Sequence, residues 1–301
     1  STSLSCANRC IFCWRDYKAP VSKEWLGEIN DPQEIIDGAK EAQKELLSGF
    51  GGHPSAITEL KNESKTVKHV ALSLTGEPIN YPKINEIINL FHKEKISTFL
   101  VTNGQYPEEL KDLPPITQLY ISLDAPSKEI LKKVSQPLFT DHWERLNKSL
   151  EYLSEKKERT CLRFTLMREI NMCDLEGYSK LIQKADPDFL EIKAYMFVGS
   201  SRQRLDLKNM PFHEDMVNFS KALVKYLPDY EIVAEHIPSR IVLLAKKKYK
   251  KNGKWHTWID FDKFFNKEED YSRETPETGL SGKGTKERMK VDEKTEELEF
   301  W

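Results

Sequence analysis

Val67-Lys68-His69-Val70-Ala71-Leu72-Ser73-Leu74-Thr75-Gly76-Glu77-Pro78 is the stretch on which the fold turns. Its first part, residues 67–74, reads as a buried strand, and the Thr-Gly-Glu-Pro behind it is turn chemistry at the strand's C-terminal end. Working forward, residues 83–93 have helical spacing. A second strand over 97–102 runs into Thr102-Asn103-Gly104, and a third over 118–123 runs into Ser122-Leu123-Asp124-Ala125. Helix 141–155, strand 161–166, helix 175–185, strand 189–193, helix 214–226 and strands 231–234 and 241–245 continue the alternation. Working backward, residues 31–47 read as a helix with Asp31 as cap and Pro32 in the tolerated first turn. Strands alternating with helices of this length predict an α/β domain with a mostly parallel sheet. Right-handed crossovers would then curl that sheet into a partial or full (β/α) barrel with the helices outside.

In such a barrel the reactive residues collect at the C-terminal strand ends. Polar side chains do so here: Gly76-Glu77-Pro78, Asn103, Ser122, Asp124, Arg163 with Thr165, and Glu191 with Lys193. Taken singly, each has a plain structural reading. Gly-Glu-Pro and Asn-Gly are turns, and an Asp before a helix is an N-cap. What those readings leave unexplained is that all of them fall on one rim.

Upstream lies Cys6-Ala7-Asn8-Arg9-Cys10-Ile11-Phe12-Cys13, a Cys-x3-Cys-x2-Cys loop. Three thiolates at this spacing suit a cubane iron–sulfur cluster, supplying ligands to three irons and leaving the fourth open to a small molecule. A structural zinc site would require a fourth Cys or His at suitable spacing, and no paired C-x2-C or H-x3-5-H follows. A disulfide framework fits worse. Five cysteines in a long charged chain without a signal peptide point to a reducing compartment, the cytoplasm. Of the remaining thiols, Cys161 reads as a core residue in a strand and Cys173 as incidental.

The chain has 301 residues and a formal charge of −2. That length suits one barrel-like domain, expected over residues 1–265, with a charged and mobile tail over 266–301. The near-neutral charge exerts no global pull on nucleic acid, so a basic patch would have to engage one. Lys246, Lys247, Lys248, Lys250 and Lys251, followed by Trp255, His256 and Trp258, form the one such run. Charge runs of this kind are more often solvated hairpin turns. No apolar run reaches membrane-spanning length. Ser1 stands shortly before the first cysteine with no initiator Met, so the sequence reads as part of something longer.

The cysteine loop followed by Gly76-Glu77-Pro78 at a strand end resembles the radical S-adenosylmethionine superfamily. Five stretches narrow the likeness: Cys10 to Arg15, Val67 to Pro78, Phe99 to Asn103, Thr117 to Ala125 and Glu191 to Met196. Together they resemble the tRNA 4-demethylwyosine synthase family of wybutosine biosynthesis. The resemblance implies a [4Fe–4S] cluster on Cys6, Cys10 and Cys13, and S-adenosylmethionine as cofactor. It implies that Gly76, Glu77 and Pro78 meet the methionyl amino group. Asn103, Ser122 and Asp124 would contact ribose and carboxylate, and Arg163 would pair the carboxylate through its planar fork. The implied reaction builds a tricyclic base in phenylalanine tRNA from N1-methylguanosine beside the anticodon and pyruvate, through a 5′-deoxyadenosyl radical.

Pyruvate invites a Schiff base, and Lys193 is the lysine that a strand end would partly shield from water; its structural alternative is a salt bridge to Glu191. Trp14 and Arg15 border the cluster loop and suit contact with a flipped base, ahead of Lys247 and Lys248. Archaeal members place further cysteines and a lysine upstream of the cluster motif. Eukaryotic members place a flavodoxin-like domain there, which implies FMN and a reductant outside this sequence. Two other functions share these features: a different radical S-adenosylmethionine enzyme, and an iron–sulfur electron carrier.

Overall fold

The computed structural model describes residues 5–16, 18, 21–53 and 56–281. Seven strands form one sheet: β1 (His69–Leu72), β2 (Ser97–Thr102), β3 (Gln118–Ser122), β4 (Arg159–Leu166), β5 (Phe189–Ala194), β6 (Tyr230–His236) and β7 (Ile241–Lys246). Their order is β1-β2-β3-β4-β5-β7-β6. The first five pair in parallel, whereas β7 runs antiparallel to β5 and to β6. The reason is the connection. Only a short 3-10 turn, Ile237–Ser239, joins β6 to β7, and a link that short permits only an antiparallel return. With β1 and β6 as edges among the described residues, the barrel is partial rather than closed.

The α-helices among the described residues are α1 (Pro32–Leu46), α2 (Thr58–Glu63), α3 (Ile84–Lys93), α4 (Pro107–Lys111), α5 (Lys128–Ser135), α6 (His142–Ser154), α7 (Leu175–Ala185), α8 (His213–Leu223) and α9 (Phe261–Phe265). Capping sets several starts: Asp31 accepts from Gln33 N at 2.8 Å, and Asp174 accepts from Gly177 N at 2.9 Å. The eight-residue helix α5 was not expected from the sequence; Ser127 caps it, and Gln136 ends it in the left-handed region.

Period-two alternation divides the sheet between two tasks. Leu100, Leu119, Ile121, Leu162, Phe164, Leu190, Ile192, Val242 and Leu244 face the helices and join Ile84, Ile87, Ile88 and Phe91 of α3 in the main core. Burying each such side chain contributes about 2 kcal/mol, and trimming Ile88 to Ala would cost roughly 2–5 kcal/mol. The register places Tyr120, Ser122, Arg163, Thr165, Glu191 and Lys193 on the other, inner face. A cavity of about 540 Å³ opens on that face, bordered by Tyr120, Glu191, Leu243, Trp258 and Phe261.

The expected tail boundary at residue 266 is not where the packed fold ends. Trp258–Ile259 pair with Ser272–Arg273, and the buried Tyr271 hydroxyl donates to Thr117 O at 3.0 Å while accepting from Arg159 N at 2.8 Å. Charge-rich composition hid one aromatic anchor. Residues 282–301, the rest of that stretch, lie outside the described residues.

Candidate active site

The cysteine loop is held along both edges. On one edge, Arg9 N donates to Ser135 O and Ile11 N to Val134 O, both at 2.9 Å, while Leu138 N donates to Ala7 O at 2.8 Å. On the other, Arg204 Nε donates to Ile11 O at 3.0 Å, its guanidinium also donates to Cys13 O, and Ser200 N donates to Trp14 O at 2.9 Å. Beneath the loop, Ile11 and Phe12 pack against Val134, Met167, Tyr195, Leu205 and Met210.

The thiols sit close enough to repel one another as thiolates. Burial first, then the Glu77 carboxylate, pushes the Cys6 thiol up to about 12, and burial with Cys6, Asp124 and Cys13 pushes Cys10 well up too. Three hydrogen bonds pull the other way: the Asn8 backbone bonds Cys6, Asn103 Nδ2 donates to Cys6 Sγ at 3.6 Å, and Ser135 bonds Cys10. Thiolates crowded in this way suit a positive metal centre, and outer-shell donors to sulfur are how proteins tune one. Among the described residues no three His, Cys, Asp or Glu side chains converge as a single ion requires. Three thiolates at Cys-x3-Cys-x2-Cys spacing, each on its own iron, suit the corners of a cubane cluster.

Glu77 lies beside this loop. Its backbone N donates to Ser5 O at 2.7 Å, and its Oε2 accepts from Asn103 N at 2.8 Å. Its Oε1 is buried without a well-formed hydrogen bond among the described residues, and burial raises the carboxyl to about 7 against bonds from Asn103, Thr102 and Ile79 to the carboxylate. An unmatched buried acceptor costs about 1–3 kcal/mol, so the atom is suited to a donor brought by a ligand, such as an ammonium group. Gly76 enters this corner at φ 71°, in the left-handed region, and Pro78 begins a 3-10 turn.

Asn103 is thus shared between Glu77 and Cys6, and its Oδ1 accepts from Gln105 N at 3.0 Å. Asp124 is buried, accepts from Thr165 N at 2.8 Å, and is raised to about 7 by burial. It ties the end of β3 to β4. Asn171, wholly buried, braces the same corner by donating to Asp124 O at 2.8 Å and Thr165 O at 2.9 Å.

Ser122 and Arg163 stand opposite one another in register, as do Arg163 and Glu191. Arg163 Nε lies 3.1 Å from Glu191 Oε1. The structural alternative for Lys193 is therefore not what forms: Glu191 goes to Arg163, and Lys193 makes no ion pair among the described residues. Burial, then the Arg163 charge, lowers Lys193 from the usual lysine range, with Glu191 opposing them. Arg163 for its part has a carboxylate before any cofactor arrives.

Trp14 is exposed and flanks the cluster loop with Arg15. Lys247 and Lys248 are elsewhere. Tyr230 pairs with Lys246 at the end of β7 that adjoins Phe189, the first residue of β5, so the lysine run sits at the sheet end opposite the cysteines. Four of its members are neutralised locally: Lys246 by Asp186, Lys248 by Asp188, Lys250 by Glu231 and Lys251 by Asp270. The structure does not bring them to the site. Cys161 is buried in β4, as expected of a core residue, and Cys173 is exposed.

Gly199 and Arg204 are site residues the sequence did not disclose. A Cβ on Gly199, at φ 57°, would stand 2.4 Å from Trp14 O. An isolated glycine and a loop arginine carry no signal until the long-range contact is seen.

Comparison with known proteins agrees with this geometry. The profile of the Radical SAM superfamily matches residues 55–182, and that of Wyosine base formation matches residues 184–246. A Danio rerio protein named S-adenosyl-L-methionine-dependent tRNA 4-demethylwyosine synthase TYW1 is 46% identical over 263 residues, 87% of this chain. This chain spans only 36% of that relative's length. A solved structure of TYW1 with a lysine–pyruvate adduct bound superposes with a TM-score of 0.73 at 32% identity, covering 84% of this chain and 80% of that one. An archaeal TYW1 crystal structure gives a TM-score of 0.65 at 30% identity, covering 80% and 78%. With 32% identity over 80% of a solved TYW1 chain and 46% identity to a TYW1 relative over 87% of this one, the chain belongs to the TYW1 family of radical S-adenosylmethionine enzymes.

Proposed function

We propose that this chain carries the catalytic domain of a tRNA 4-demethylwyosine synthase, which joins a two-carbon unit of pyruvate to N1-methylguanosine beside the anticodon of phenylalanine tRNA. The observation that carries the reading is the gathering at one end of the sheet of the cysteine loop, the Glu77 corner and Lys193, which makes no ion pair among the described residues. When bound, a reduced [4Fe–4S] cluster with S-adenosylmethionine supplies a 5′-deoxyadenosyl radical.

The protein's own residues then have separable tasks. Cys6, Cys10 and Cys13 hold the cluster, and Asn103 donates to the Cys6 sulfur. Gly76, Glu77 and Pro78 receive the methionyl amino group, with Glu77 Oε1 as a buried acceptor. Ser122 and Asp124 border the cofactor's ribose, and Arg163 with Glu191 fixes the floor of the inner face. Lys193 holds pyruvate, as the Schiff-base amine or as a cation facing its carboxylate; its lowered proton affinity favours a neutral amine. Since a lysine–pyruvate adduct is bound in a related structure, amine chemistry is available to the family.

Trp14 and Arg15 receive the extruded base at the cluster rim. Any contact from Lys247 and Lys248 falls on a part of the tRNA remote from the reacting base. Electrons come from a flavodoxin-like domain or protein carrying FMN, and the setting is cytoplasmic. No helix among the described residues is long and apolar enough to cross a membrane.

Anaerobic reconstitution tests the reading. The parent chain with dithionite should cleave S-adenosylmethionine to methionine and 5′-deoxyadenosine, and Cys13→Ala should not. Cleavage by Cys13→Ala at the parent's rate, with a full complement of iron, would refute the ligand assignment.

A further inference from the structure

The cysteine loop has two borders, and the second belongs to the segment that follows β5. Between residues 11 and 14, the carbonyls of Ile11, Cys13 and Trp14 all accept from that segment: two from the Arg204 guanidinium, one from Ser200 N. The segment is itself braced. Tyr195 OH shares a 2.7 Å hydrogen bond with Ser201 Oγ, Phe197 N bonds the Met210 sulfur at 3.4 Å, and Leu205 is buried against Tyr195 and Met210. Gly199 allows the closest approach, since any side chain there would collide with Trp14 O.

We propose that Arg204 is a positioning residue for the cluster: it clamps the ligand loop by two backbone carbonyls and holds a fixed positive charge one residue's backbone away from the Cys13 sulfur. A guanidinium suits this task because its planar fork meets two acceptors at once and stays charged at every working pH. A cation so placed favours the reduced, more negative cluster and so raises its reduction potential, which follows net charge and hydrogen bonding around the sulfurs. The inference rests on the cluster assignment above but not on the tRNA reaction.

The test needs neither tRNA nor pyruvate. The parent chain and the variants Arg204→Met, Arg204→Lys and Gly199→Ala are reconstituted anaerobically. Iron content, the rate of iron loss to a chelator and the cluster's midpoint potential are then read. Arg204→Met should lose iron about tenfold faster, as outer-shell changes commonly do, and its potential should move negative. Arg204→Lys keeps the charge but not the fork, so iron loss should quicken while the potential moves less. Gly199→Ala lifts the clamp from Trp14 and should resemble Arg204→Lys. If Arg204→Met fails to fold, the other two variants decide. Parent rates and an unmoved potential in the folded variants overturn the proposal, whereas a parent chain that takes up no cluster refutes the cluster assignment instead.

Discussion

Arg163 Nε lies 3.1 Å from Glu191 Oε1, so the carboxylate pairs directly with Arg163 and acts on Lys193 only as a nearby charge. Lys193 is left half-buried beside a like charge. A lysine with no ion pair to break among the described residues is available for chemistry. Borohydride reduction with labelled pyruvate should therefore trap label on Lys193, and Lys193→Met should form no 4-demethylwyosine while keeping its cluster. Absence of trapping in the parent together with an inactive Lys193→Arg favours the ionic role, and a Lys193→Ala that works at the parent's rate ends both roles.

Glu191→Gln tests the same neighbourhood through pH. The Glu191 charge raises the proton affinity of Lys193 against burial and Arg163, so removing it lowers the lysine further and increases the neutral fraction at a given pH. The pH profile of pyruvate trapping should shift to lower pH in Glu191→Gln. A profile unmoved, or shifted upward, contradicts the arrangement.

For Glu77, the isosteric change separates cofactor from cluster. Glu77→Gln keeps an acceptor for Asn103 N but loses the charge offered to an ammonium group. Charge-assisted hydrogen bonds contribute about 1.5–3 kcal/mol, so S-adenosylmethionine affinity should fall roughly tenfold or more. Titration calorimetry on the reconstituted protein measures it, with an unchanged cluster spectrum expected. Unaltered affinity counts against the assignment.

The stretch 266–281 offers a stability test. Tyr271→Phe deletes one hydroxyl that donates to Thr117 O and accepts from Arg159 N, both buried. Leaving those groups unmatched should cost about 1–3 kcal/mol in urea unfolding. No loss would mean the segment does not anchor the domain.

How far the sequence discloses this structure depends on the range of the interaction. Local signals read well: Asp31-Pro32 starts α1, β2 and α7 have their expected bounds, and the rim from Gly76 to Lys193 falls at one end of the sheet. Helix α5 does not read well because Ile130, Leu131 and Val134 form an apolar stripe only eight residues long, too short for periodicity to separate a helix from a short apolar run. The longest-range facts are invisible. Composition does not reveal that Tyr271 reaches Thr117, that Glu191 chooses Arg163 over Lys193, or that Arg204 reaches back to Cys13. For the lysines near 247 the sequence reads a cluster, but only the register shows which end of the sheet they occupy and that Asp186, Asp188, Glu231 and Asp270 absorb their charge.

The central claim is best tested by isotope transfer. The anaerobically reconstituted protein is given S-adenosylmethionine, a reductant, phenylalanine tRNA carrying N1-methylguanosine, and pyruvate labelled at its second and third carbons. The digested nucleosides are then read by mass spectrometry. The expected result is a 4-demethylwyosine nucleoside carrying both labelled carbons, formed alongside 5′-deoxyadenosine. Unaltered N1-methylguanosine, from a preparation that holds a full cluster and cleaves S-adenosylmethionine, would contradict the account.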